Sequence, residues 1–166
     1  MILVLEPLTF TILKKELRKN IKKGDAQLTM QKWDEQTYWK HLTEFRRNKG
    51  LITLPMTIPR VEYYVALKNN ESLCGQGIYF RNDTATETAI WRKPNAPYFA
   101  GDWLKWRIMQ DAKLRGMKQY DFAGVSDYKQ KWGGTILDNG LKENKPNPLR
   151  ILRPIHRLLV KKGLIK

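Results

Sequence analysis

The chain has 166 residues and carries 31 Lys and Arg against 16 Asp and Glu, a formal net charge of +15. A hydrophobic fraction of 42%, with six Trp, seven Tyr and five Phe, excludes global disorder and suits one packed domain. The single cysteine, Cys74, excludes an intramolecular disulfide and a Cys-based zinc cluster, and two distant histidines, His41 and His156, give no His-rich metal site.

In chain order, residues 2–5 and 9–13 read as a short apolar opening, strand or first helix. Residues 16–23 form a basic helical segment, with Gly24-Asp25 as its stop signal. A short strand is expected at 26–30. Asp34-Glu35 then open a helix whose Trp39, Leu42 and Phe45 share one face, and Arg46 to Gly50 close it with cations and a glycine. A Pro-containing loop follows at 51–59. Residues 62–68, 75–81 and 87–91 read as an antiparallel meander with Asn69-Asn70 and Asn82-Asp83 as hairpin turns. Residues 103–114 form a strong helix with Leu104, Ile108, Met109 and Ala112 on its apolar side, stopped by Arg115-Gly116. A strand at 120–123 and one helical turn at 128–132, closed by Gly133-Gly134, complete the pattern. The fold class is α/β: one domain over residues 1–146, with a central mixed, mostly antiparallel sheet flanked by helices.

The charge is concentrated. Residues 14–23 hold six cations and one acid, and residues 145–166 hold seven cations and no acid. Such fields draw polyanions: RNA, phospholipid head groups or a phosphorylated substrate. The alternative is a basic surface with no partner. The tail, 147–166, interleaves its cations with Leu and Ile. It would lie on an anionic membrane surface or pack on its own domain. No apolar run is long enough to span a bilayer. The opening residues lack a basic region and cleavage site, so no signal peptide and a cytoplasmic location are expected, with the inner membrane face as a peripheral option.

Residues 103–134 carry a resemblance. They read Trp106, Ala112-Lys113, Gly116, Tyr120-Asp121-Phe122-Ala123-Gly124, then Tyr128-Lys129-Gln130-Lys131-Trp132-Gly133-Gly134. This resembles the Fem family of peptidoglycan-bridge aminoacyltransferases, within the GNAT superfamily of N-acyltransferases. There a helix ends Ala-Lys-x-x-Gly, a strand reads aromatic-Asp-Phe-Gly-Gly, and a turn reads aromatic-Lys-x-x-aromatic-Gly-Gly. Residues 17–24 look like the basic helix that opens such domains. The chain departs from the family at Ala123, which stands where the first strand glycine is usual. It has room for one GNAT-like domain where family members usually carry two, so a homodimer is an expectation.

The resemblance implies a sheet that splays between two parallel strands, with the acyl donor in the gap. Residues 120–124 are similar to the second strand, and 87–91 are its expected partner. Lys129 matches the motif lysine, which implies a cation near the donor; a solvated lysine is the alternative. Asp121 would orient the acceptor amine or take its proton, or else bond backbone amides at a strand end. Glu87 sits where ordinary acetyltransferases often place a base. Tyr120, Gly124 and Gly133 border the expected site. Tyr128 and Trp132 would wall a donor pocket or pack in the core, and Tyr98 would touch donor or acceptor.

Coenzyme-A-dependent relatives hold pyrophosphate on a glycine-rich turn at the start of the main helix. Here that place reads Pro97-Tyr98-Phe99-Ala100-Gly101-Asp102, with one glycine and an acid. The resemblance therefore implies aminoacyl-tRNA as donor substrate, no tightly bound cofactor, no metal, and an amine of a cell-wall precursor or small acceptor. The alternatives are an acyl-coenzyme-A-dependent N-acyltransferase acting on a sugar or small-molecule amine, and a non-catalytic RNA- or membrane-binding module.

Overall fold

A computed structural model describes residues 1–5, 8–51, 60–124 and 127–133. The expectations for most of the 51–59 loop and for the 147–166 tail lie outside the described residues. In chain order the elements are β1 (Ile2–Val4), a 3-10 turn (Phe10–Ile12), α1 (Lys15–Asp25), β2 (Thr29–Trp33), α2 (Glu35–Asn48), β3 (Val61–Lys68), β4 (Glu71–Arg81), β5 (Thr84–Arg92), α3 (Phe99–Leu114), β6 (Gln119–Asp121) and α4 (Asp127–Gln130).

The strands form one sheet in the order β1-β6-β5-β4-β3-β2. Every neighbouring pair is antiparallel except β5 with β6. The hairpin turns sit where Asn residues predict them. Asn69, Asn70 and Asn82 all adopt left-handed backbone (φ 50°, 65° and 53°), which Asn tolerates better than other side chains.

Helices α1 and α3 cover one face and α2 covers the other. On α1, Leu17, Asn20, Ile21 and Gly24 turn inward at three- and four-residue spacing, and the cations turn out. Burying Leu17 and Ile21 stabilises the helix by about 1.5–3 kcal/mol each. Gly24 acts differently from the stop signal expected of it. It lies inside α1, and a Cβ there would fall 2.3 Å from Cγ of Trp103. Its missing side chain lets α1 and α3 touch. Helix α2 begins as expected: Asp34 caps it by accepting the Thr37 amide proton at 2.8 Å. Its buried centre is Tyr38 and Leu42, with Trp39 and Phe45 packed at the margins.

Strand β5 carries an irregularity that positions the site. Ile78 pairs with Glu87 and Gln76 with Ile90, so β5 spends one more residue than β4 across Gly77. This is a β-bulge at Thr88-Ala89. Before it, Ala85 packs in the core on the α1/α3 face; after it, Ala89 and Trp91 pack in the core on the α2 face. Gly77 accommodates the bulge, because a Cβ there would meet Thr88 Oγ1 at 2.7 Å.

Candidate active site

Strands β5 and β6 pair only through Thr84–Gln119, Ala85–Tyr120 and Thr86–Asp121. The strand that holds residues 87–91 is the parallel partner of β6, as expected, but the pairing falls at its start and residues 87–91 lie beyond the paired stretch. From Glu87 onward β5 runs without β6 beside it, and the sheet opens as a fork. A cavity of about 190 Å³ occupies this opening. Gln76, Ile90 and Trp91 line it from the sheet, Tyr98, Asp102 and Lys105 from the start of α3, and Tyr128 from α4.

Glu87 is the first residue past the fork and is 2% exposed. Its Oε1 accepts hydrogen bonds from Lys105 Nζ and from the Tyr120 hydroxyl, the latter at 3.2 Å. The Tyr120 oxygen in turn accepts from Gln76 Nε2 at 2.8 Å. Glu87 Oε2 is buried with no hydrogen bond, and the Lys129 ammonium stands 3.8 Å away. Lys129 also donates to the Phe122 carbonyl. Lys105, 3% exposed, passes over the rings of Phe122 (4.9 Å) and Tyr128 (5.6 Å).

A second carboxylate lies one helical turn earlier. Asp102 accepts from Asn20 Nδ2 and from the Tyr128 hydroxyl, both at 2.7 Å. The helix begins at Phe99, four residues before its expected start, which seats Asp102 in the first turn of α3. There it fills the favourable positive end of the helix dipole from inside the protein.

Burial pushes the Lys105 ammonium below the usual lysine range, with the Glu87 charge acting in the opposite sense. Burial likewise pushes the Tyr120 phenol well up, reinforced by the Glu87 charge. It raises the Tyr128 phenol too, reinforced by the Asp102 charge. Both phenols therefore remain hydrogen donors at ordinary pH. Asp102, Lys105 and Tyr128 line the cavity, with Glu87, Tyr120 and Lys129 clustered behind Lys105: groups able to take up a proton, release one and stabilise a developing oxyanion.

The structure thus puts Tyr98 and Tyr128 on the cavity wall and gathers Tyr120 and Lys129 about Glu87 behind it. Asp121 stands apart. Strand alternation turns it from the face used by Tyr120, and its carboxylate accepts the Ala123 amide proton at 2.9 Å. Trp132 is 3% exposed and packs in the main core, the packing alternative weighed for it. Gly124 and Gly133 adopt positive φ (123° and 77°) at the turns that flank α4. Lys131, outside the motif match, is exposed and faces Glu16 at 3.5 Å. No sequence motif singles out Lys105, Gln76 or Asn20, and Asp102 stands out in the sequence only as unfavourable to an anion. The available signal is Lys105 within Trp103-Leu104-Lys105-Trp106, a cation set among large apolar side chains near the middle of the helix.

No family model matches the sequence, and no curated protein matches it. Solved structures do match. The C-terminal domain (DUF2156) of a putative lysylphosphatidylglycerol synthetase from Agrobacterium fabrum aligns with a TM-score of 0.64 over 81% of this chain and 56% of that one, at 14% identity. L-PGS from Bacillus licheniformis gives 0.63 over 95% of this chain and 63% of that one, also at 14% identity. FemX gives 0.64 over 95% and 57%, at 10% identity. An aminoglycoside acetyltransferase from an uncultured soil metagenomic sample, in complex with sisomicin, gives 0.50 over 64% and 84%, at 16% identity. The chain has a Fem/GNAT-type fold and spans 56% to 63% of the length of the first three structures.

Proposed function

We propose that this chain is an N-acyltransferase that moves an amino acid from aminoacyl-tRNA to an amine of a cell-wall precursor or small acceptor. The observation that carries the reading is the buried Glu87–Lys105 pair, whose lysine lines the fork cavity together with Tyr128 and Asp102. An acceptor amine arrives as an ammonium and must lose a proton before it attacks the ester carbonyl. Lys105 lines the cavity and Glu87 stands behind it, so the pair is placed to take that proton. The Lys129 ammonium offsets charge developing on the carbonyl oxygen. The Tyr128 hydroxyl, which donates to Asp102, would turn its one proton to that oxygen or to the departing ribose oxygen. Asp121, turned to the other face, has no part in this scheme.

An RNA-borne donor is favoured over coenzyme A by Asp102. A carboxylate bonded into the first turn of α3 opposes a pyrophosphate at that helix end. The concentrated cations favour RNA as well. The test is direct binding of labelled aminoacyl-tRNA beside uncharged tRNA and acetyl-coenzyme A, at several salt concentrations. Tighter binding of the charged form is expected. Saturable coenzyme A binding, with charged and uncharged tRNA indistinguishable, would replace this reading with an ordinary acyl-thioester transferase.

A further inference from the structure

Helix α1 has two faces of opposite character. Inward, Leu17, Ile21 and Gly24 are buried, and Gly24 meets Trp103 of α3. Outward, Lys15, Arg18, Lys19, Lys22 and Lys23, with Phe10 from the preceding turn, line an open groove of about 630 Å³. None of these five cations forms an ion pair with a described residue, whereas Glu16, on the same helix, is engaged by Lys131. Three cation pairs stand four residues apart: Lys15 with Lys19, Arg18 with Lys22, and Lys19 with Lys23. Like charges at that spacing destabilise a helix. Packing of the inner face holds α1 together against this repulsion.

The groove leads to the fork. Lys23 Nζ donates to the Tyr98 hydroxyl at 3.1 Å and lies 5.4 Å from the centre of its ring. Tyr98, exposed at the start of α3, lines the fork cavity. Cations about 6 Å apart along the helix axis therefore run toward the cavity mouth. Lys22, in the same last turn of α1 as Lys23, lies 6.0 Å from the centre of the Phe10 ring.

We infer that the outer face of α1 is the docking surface for a single-stranded RNA backbone, whose acylated end enters the fork past Tyr98. This rests on the RNA-borne donor proposed above. Unpaired cations beside an aromatic side chain are what a single strand needs: the cations track phosphates and the ring stacks on a base. A lipid surface fits less well, because the apolar residues of α1 face the protein and leave no side to insert.

The experiment uses the full chain and an uncharged tRNA transcript, followed by fluorescence anisotropy between about 50 and about 200 mM salt. The triple variant K15Q/K19Q/K22Q is compared with K40Q/R47Q/K49Q, which removes as much charge from α2. The α1 variant is expected to bind at least about tenfold more weakly at the low-salt end, with its log Kd against log salt slope reduced by about 2 to 3. The α2 variant is expected to keep the wild-type slope. Equal losses in both variants would overturn the docking surface, as would an unchanged slope in the α1 variant. So would loss of binding to phosphatidylglycerol vesicles with RNA binding retained, which reassigns the face to lipid. Failure of the donor reading is separate: wild-type protein that binds no RNA yet transfers an acyl group from a thioester rejects that reading without reference to α1.

Discussion

Ion pairs pin α3 to the sheet at two places, its C-terminal end and its middle, and the two are built on opposite principles. At the C-terminal end, Glu62 on β3 receives Arg115 at 2.7 and 3.1 Å, Lys32 at 2.6 Å and Tyr64 at 2.9 Å. Both of its oxygens are satisfied, and the network is about one-third exposed. Near the middle of the helix, the Glu87–Lys105 pair is almost wholly buried. One Glu87 oxygen has no hydrogen bond, and Lys105 borders a cavity. The first arrangement fastens a helix with groups that water already favours. The second carries a desolvation cost that packing alone would not select. A fully partnered exposed clamp reads as structure, and an incompletely partnered buried pair beside a cavity reads as chemistry.

The comparison breaks most sharply at Glu87. Replacing it by Gln leaves Lys105 buried without its counter-charge and should destabilise the fold by about 3–5 kcal/mol. Transfer should fall by about a hundredfold or more per folded molecule. The double variant E87Q/K105M should recover most of the stability in chemical denaturation while staying inactive. Recovery of activity in the double variant would make the pair structural, like the clamp at the C-terminal end.

A smaller effect is expected at Glu62, whose carboxyl the Arg115 guanidinium pulls from its usual 4.5 down to about 2. The sign follows from linkage. The unfolded chain takes up this proton first as pH falls, so the stabilisation is present above about pH 4.5 and is lost on acidification toward about pH 2. Screening at this exposure limits it to about 1 kcal/mol. Thermal melts between those limits should show the loss in wild-type protein and much less of it in R115A, with transfer at neutral pH little changed.

The smallest effect concerns Ala123, which sits at φ 49° where the Fem strand motif usually has glycine. A Cβ in left-handed backbone costs about 1–2 kcal/mol, partly offset by the greater freedom of glycine in the unfolded chain. A123G should therefore be neutral or more stable by up to about 1 kcal/mol. A clear loss in denaturant unfolding would mean that the alanine methyl contributes packing.

Much of this architecture was legible in local signals. Asp34, the two Asn turns and the Tyr120–Gly124 and Tyr128–Gly133 motifs each act within a few residues of themselves. What stayed hidden depends on partners distant in sequence. Gly24 resembles a helix stop until Trp103, far along the chain, is placed against it. Lys105 resembles a solvated cation until α3 is laid on the sheet, and its partner Glu87 looked no different from an exposed strand acid. For Asp121 the sequence leaves two roles open, because alternation at a three-residue element gives no pattern to read, and the structure shows the strand-end one, a bond to the Ala123 amide.

The extra residue in β5 shifts the phase of that strand by half a period. A strand normally speaks to a given layer with every second side chain along its whole length. Here the same parity gives Glu87 to one layer and Trp91 to the opposite one, so a single strand serves two environments in succession. Excising Thr88 would leave Ala89 alone opposite Gly77, with Ile90 still opposite Gln76 and Trp91 still opposite Gly75. What the extra residue sets is the count along the chain: it lets Glu87 and Trp91, four residues apart, serve opposite layers, so the frame of the strand is itself a determinant of the site.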